Sequence, residues 1–183
     1  NGADLLSLSA HKFYGPKGAG ALYVRKGTVL EPLLFGGHHE RDRRAGTENV
    51  PAFSAMGMAA YRLTQYDPAS DVSALRDRLE RAILSRVPAT HVNCGGSPRL
   101  PNTTNLRFDF IEGEPLVIAL DLRGFAISSG SACSSGAVEP SHVLRAIGLT
   151  DKQARSSVRI SLGHNNNIEQ VDALADAVVD SVN

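Results

Sequence analysis

The opening residues N-G-A-D-L-L-S-L-S are apolar at Leu5, Leu6 and Leu8, which predicts a strand over residues 5–8, buried between neighbours. Its neighbours are expected from outside the start of the chain. That start shows no initiator Met and no leader, so a piece of a larger protein is expected, with a processed small protein as the other reading. A second strand is predicted over residues 21–25, A-L-Y-V-R, which are rich in β-formers. Between the two, A-H-K-F-Y-G-P-K-G-A-G is punctuated by Gly and Pro and predicts no regular element. Residues 35–50, F-G-G-H-H-E-R-D-R-R-A-G-T-E-N-V, are polar and predict an ordered surface or interface loop. Pro51 suits a helix start, with residues 52–63 as the body.

A break at residues 66–68 (Tyr-Asp-Pro) predicts a domain boundary, giving domains over 1–65 and 66–183. Beyond it Val72, Leu75, Leu79 and Ile83 recur at helical spacing within residues 72–87, among Asp, Glu and Arg. Strands are predicted around residues 91–93 and 104–110, a helix over 114–122 and a short strand over 126–128. Residues 128–139 are almost wholly small and polar. The last strand is predicted over 158–162. A closing helix over 168–182 carries Ile168, Val171, Leu174, Val178 and Val182 on one face. Strands interleaved with helices predict an α/β or α+β architecture.

With 42% hydrophobic and 21% charged residues, the chain is expected to pack a globular core. Net charge is zero and Lys and Arg form no long block, which argues against nucleic-acid or membrane-surface binding. Cys94 and Cys133 are too few for a disulfide scaffold and have no metal-ligand spacing. They suggest a reducing compartment, and no stretch approaches membrane-spanning length, so the expected location is cytoplasmic.

Three segments carry candidate chemistry. Lys12 follows a predicted strand, with Ser9 and His11 beside it. A lysine that condenses with an aldehyde needs a neutral amine, which burial and nearby positive charge favour. A hydroxyl and an imidazole placed there can donate to a phosphate. The competing reading makes Lys12 and Lys17 solvated loop lysines and His11 a structural histidine. The phosphate-loop spacing G-x-x-x-x-G-K-[ST] is not met. In the second segment, Cys133 lies within S-S-G-S-A-C-S-S-G-A-V-E-P-S-H. That run offers little apolar anchor, so it is expected to be mobile and to expose a nucleophilic thiol, with a buried structural cysteine as the alternative. It is no G-x-S-x-G elbow. The third segment, S-V-R-I-S-L-G, sets Arg159 in a strand with Val158 and Ile160 facing away from it. Its fork suits a carboxylate, though an ordinary edge-strand arginine is in general the commoner explanation. His38 and His39 could bind metal, but no third ligand is evident, and they take no role; Cys94, after V-N, is expected to be a buried structural cysteine and takes none either.

The segment S-A-H-K-F-Y-G-P-K-G-A-G-A-L-Y-V-R resembles the lysine segment of class-V aminotransferase-fold enzymes, specifically the cysteine desulfurases. The run G-S-A-C-S-S-G resembles the active-site loop of their longer-loop, NifS-like class. G-G-H-H-E-R-D-R-R-A-G-T is similar to that family's stretch at the dimer interface. The resemblance spans essentially the whole chain, as the C-terminal half of the family's longer members. It implies a fold-type I α/β architecture: the end of the large pyridoxal-phosphate domain over 1–65, and the small C-terminal domain with the cysteine loop over 66–183.

By the same resemblance, Lys12 binds pyridoxal 5'-phosphate covalently and moves protons. Ser9 and His11 hold its phosphate, and Thr47 reaches the phosphate of a second subunit's cofactor, so that a homodimer shares its active sites. Arg159 clamps the substrate carboxylate. Cys133 takes sulfur from L-cysteine as a persulfide, releasing L-alanine. It then delivers sulfur to an iron–sulfur scaffold or another acceptor protein, and is a transient iron–sulfur ligand. The chain departs from the family at His38, often Gly, and at His164, often Arg or Lys. The family's other cofactor contacts match nothing in the chain, so this polypeptide alone is expected not to hold the cofactor tightly. A non-catalytic interaction module presenting the cysteine loop and a related lyase acting on selenocysteine remain alternatives.

Overall fold

The computed structural model describes residues 2–65, 68–129 and 139–182, with backbone only for 68–70. The chain divides into two compact units, Asn1–Asp67 and Pro68–Asn183.

In the first unit β1 (Leu5–Ser9) pairs antiparallel with β2 (Gly20–Val24), Leu5 opposite Val24 and Ser9 opposite Gly20. Within this chain β1 lacks the cover that its sequence leads one to expect from outside the start of the chain. Leu5, Leu6 and Leu8 are 45%, 46% and 44% exposed, because a two-stranded ribbon has too little cover for either face. The connection also differs from the prediction of no regular element. Ala10–Phe13 forms one 3-10 turn, ended by Tyr14 at φ 68°. Gly15 donates its N–H to the Ala10 carbonyl at 2.8 Å, and a Cβ on Gly15 would stand 2.8 Å from that of Ala10, so only glycine closes this turn. Residues 35–49 form the polar loop, and α1 (Val50–Gln65) follows. Asn49 caps α1 by accepting from the Ala52 N–H, which places Pro51 in the first turn, where a missing N–H costs nothing.

The second unit carries the main core. α2 (Pro68–Leu84) buries Val72, Leu79 and Ile83 and packs along α6 (Ile168–Val182), which buries Val171, Leu174, Ala175 and Val178. Ile168, expected on the same stripe, is 51% exposed at the first residue of α6. The Arg78–Asp172 and Arg86–Asp176 pairs edge that seam. β3 (Thr90–Val92), β4 (Thr103–Phe108) and β5 (Ser157–Ser161) form an antiparallel sheet in that order. Leu106, Phe108, Val158 and Ile160 point from it into the core, with Leu116 and Leu120 of α3 (Gly113–Asp121). The strand predicted at 126–128 reduces to a single bridge between Ser128 and Arg159. Two further helices, α4 (His142–Ala146) and α5 (Asp151–Arg155), were not anticipated, because five residues are too few to show a helical period. Among the described residues no helix is long and apolar enough to cross a membrane.

Candidate active site

The end of β1 and the 3-10 turn hold Ser9, His11 and Lys12 in sequence. The turn's backbone is pinned by Ala10 N–H to the Ala19 carbonyl at 3.0 Å and by the Gly15–Ala10 bond. It packs against α1 and β1 with Ala10 fully buried. Ser9, His11 and Lys12 are all exposed. The burial expected for the Lys12 amine is therefore not found. Within its unit, packing engages the turn through Ala10 and leaves the side of Lys12 open.

Thr47 lies elsewhere in the same unit. It lines a cavity of about 680 Å³ with Arg41, Arg43, Arg44, Asn49 and Phe53, and the lysine turn is not part of that lining. The loop is shaped by its own bonds. Ala45 N–H reaches the Leu34 carbonyl, His38 Nδ1 meets Asp42 Oδ1 at 2.5 Å, and the Arg44 guanidinium donates to the carbonyls of Ala45 and Gly46. Glu40, Arg41 and Asp42 stand consecutively in the left-handed region, at φ 51°, 59° and 63°. Such a run is costly for side-chain-bearing residues and persists where surrounding bonds hold it. The sequence reading gave these arginines no role, although three within four positions was the available signal. Among the described residues no cluster of metal-ligating side chains is present.

In the second unit β5 alternates as expected, with Val158 and Ile160 buried and Arg159 on the opposite, open face. Its backbone bonds Ser128 in both directions, at 3.0 and 2.6 Å. Cys133 lies outside the described residues. Cys94 is a free, exposed cysteine, not the buried one the sequence suggested, since it sits at φ 56° in the open turn after β3.

Residues 1–174 match the family model for aminotransferase class-V. A cysteine desulfurase of Cereibacter sphaeroides is 49% identical over 175 residues, covering 96% of this chain and 45% of that protein. A NifS-like protein from Rickettsia africae ESF-5 matches in structure with a TM-score of 0.85 and 31% identity, over 99% of this chain and 48% of that one. The structure of SspA in complex with cysteine matches with a TM-score of 0.66 and 38% identity, over 87% of this chain and 44% of that one. The chain thus spans about half the length of the curated relatives it matches.

Proposed function

We propose, since this chain belongs to the class-V aminotransferase family of fold-type I α/β enzymes, that its residues serve a pyridoxal-phosphate-dependent cysteine desulfurase. The observation that carries this reading is the donor set on the 3-10 turn. A hydroxyl, an imidazole and an amine follow within four residues, all exposed, and none makes a hydrogen bond or ion pair among the described residues. The chemistry of that set fits the cofactor: Ser9 and His11 would donate to its phosphate, and Lys12 would hold it through its amine. When bound, the cofactor supplies an electron sink.

Around it, the chain's residues divide the work. Arg159, on the open face of its sheet, binds the carboxylate of L-cysteine. Lys12 takes and returns the proton at the substrate's α-carbon. The Cys133 thiolate attacks the substrate sulfur. The carbon–sulfur bond breaks as the sulfur–sulfur bond forms, leaving a persulfide on Cys133 and, after protonation, L-alanine.

In this reading the first unit is the end of the large cofactor domain and the second is the small domain. Thr47 serves a second subunit's phosphate across a homodimer, and its place in a separate cavity from the lysine turn supports that division. The persulfide passes to a sulfur-acceptor protein such as an iron–sulfur scaffold in the cytoplasm, with Cys133 as a transient cluster ligand. The test is alanine release from L-cysteine by the intact protein. Lys12→Ala and Cys133→Ser are each expected to lower the rate by at least about a hundredfold. Turnover within a few-fold of wild type in either variant would sink the assignment of that residue.

A further inference from the structure

One row of side chains crosses the open face of the second unit's sheet. Asn93, just past β3, bonds its backbone N–H to the Asn105 carbonyl at 2.9 Å. Asn105 on β4 stands in register with Arg159 on β5, and the Ser128 bridge flanks Arg159 on its other side. Directly opposed residues of an antiparallel pair hold their Cβ atoms about 5 Å apart, so the Asn105 and Arg159 heads can reach one ligand.

The polarity of this row is forced from one end. The Gln153 backbone carbonyl can only accept, so the Ser157 hydroxyl donates to it, at 2.7 Å. A hydroxyl has a single hydrogen, so Ser157 Oγ can only accept from Asn93, at 3.0 Å. Asn93 must therefore present its NH2 group there, and the same nitrogen donates to Asn105 Oδ1 at 2.5 Å. Flipping the Asn105 amide would set two NH2 groups against each other. Its Nδ2 is consequently turned out of the network, with no acceptor among the described residues. The Arg159 guanidinium beside it likewise takes no partner among those residues.

We propose that Asn105 is a second substrate-binding residue: its Nδ2 donates to the α-carboxylate of the amino-acid substrate alongside Arg159. A carboxylate offers about four lone-pair sites. The arginine fork fills two of them, and a neutral amide held in one orientation adds a donor without a second charge to desolvate. This inference rests on the proposed carboxylate role of Arg159. It also gives Asn93, Ser157 and the Gln153 carbonyl a purpose as positioning groups that fix which end of the amide faces the ligand.

The intact protein provides the test. Asn105→Asp keeps an oxygen toward Asn93 and replaces the free NH2 with a second oxygen, so the network survives while the donor becomes a repelling charge. The expected result is a KM for L-cysteine raised by about tenfold or more, with kcat changed by less than about twofold, the signature of lost uniform binding. Asn105→Ala provides a second reading through product inhibition. Wild type is expected to bind L-alanine better than ethylamine, which has no carboxylate, and the variant to lose several-fold of that preference while Arg159 keeps the rest. If Arg159→Ala raises KM while both Asn105 variants keep wild-type KM and preference, the Asn105 proposal is overturned and the role of Arg159 stands. If Arg159→Ala leaves KM unchanged, the underlying carboxylate reading fails instead.

Discussion

Glu80 is 8% exposed on α2, and its carboxylate meets the Arg99 fork at 2.6 and 2.8 Å. Burial pushes its carboxyl up, but the hydrogen bonds and charge of Arg99, together with the charge of Arg76, outweigh that, and the group is held below its ordinary value of 4.5. A depressed carboxyl contributes its full stabilisation above pH 4.5, and that contribution is lost as pH falls through the folded-state value. Arg99→Ala leaves Glu80 without its fork and is expected to cost about 2 kcal/mol at pH 7, less than for a fully enclosed pair because solvent reaches Arg99. Thermal melts at pH 7 and pH 3 check this: the variant's deficit should shrink at pH 3. An equal deficit at both values would contradict the pairing. In the sequence Glu80 reads as one charge among many on α2, and nothing local points to a partner in a loop 19 residues on. The same holds for Asn105. Its neighbours in the strand sequence are visible, but Asn93 and Arg159 face it only across strands.

At the scale of elements, the long amphipathic helices α2 and α6 were legible because each repeats its apolar stripe over several turns. The short α5 was not, yet its start carries a local signal. Thr150 Oγ accepts from the Gln153 N–H at 3.3 Å, and the Gln153 side chain accepts from the Thr150 N–H at 2.9 Å, a reciprocal capping box readable as T-x-x-Q. Thr150→Ala is expected to cost about 1 kcal/mol, measured as a shift of the urea unfolding midpoint at unchanged slope. The consequence reaches further than one helix turn. α5 packs on β4, and its Gln153 carbonyl anchors Ser157 and so the whole row of amides. The two strands of the first unit were readable from β-forming residues, but their exposure was not, since burial depends on what lies across each face.

The two units differ in how much they enclose. The second surrounds Phe108, Leu79, Ile83, Leu106, Leu116 and Leu120, each fully buried. In the first, the buried hydrophobic residues among those described are Ala10, Ala19 and Ala59, while Phe35 is 84% exposed. Lys12 belongs to the unit with little interior, and among the described residues of that unit no side chain encloses its exposed amine. The 183-residue chain, incubated with pyridoxal phosphate, is therefore expected to show no stoichiometric visible absorbance from a lysine-bound cofactor. Strong yellow colour at one cofactor per chain would overturn that expectation.

Periodicity, turn residues and the lysine, arginine-loop and cysteine motifs determined the order of the main elements, the two-part division and the candidate residues Ser9, His11, Lys12, Thr47, Cys133 and Arg159. The elements are local properties of the chain, set by spacing and residue type, and the candidate residues come from the resemblance of their motifs to a known family. Only the tertiary structure decided that Lys12 lies exposed, that Thr47 occupies a separate arginine-lined cavity, and that Asn105, in register with Arg159, has no acceptor for its Nδ2 among the described residues. Each depends on which groups from distant parts of the chain compete for the same space or the same hydrogen bond, and no short-range pattern encodes that competition.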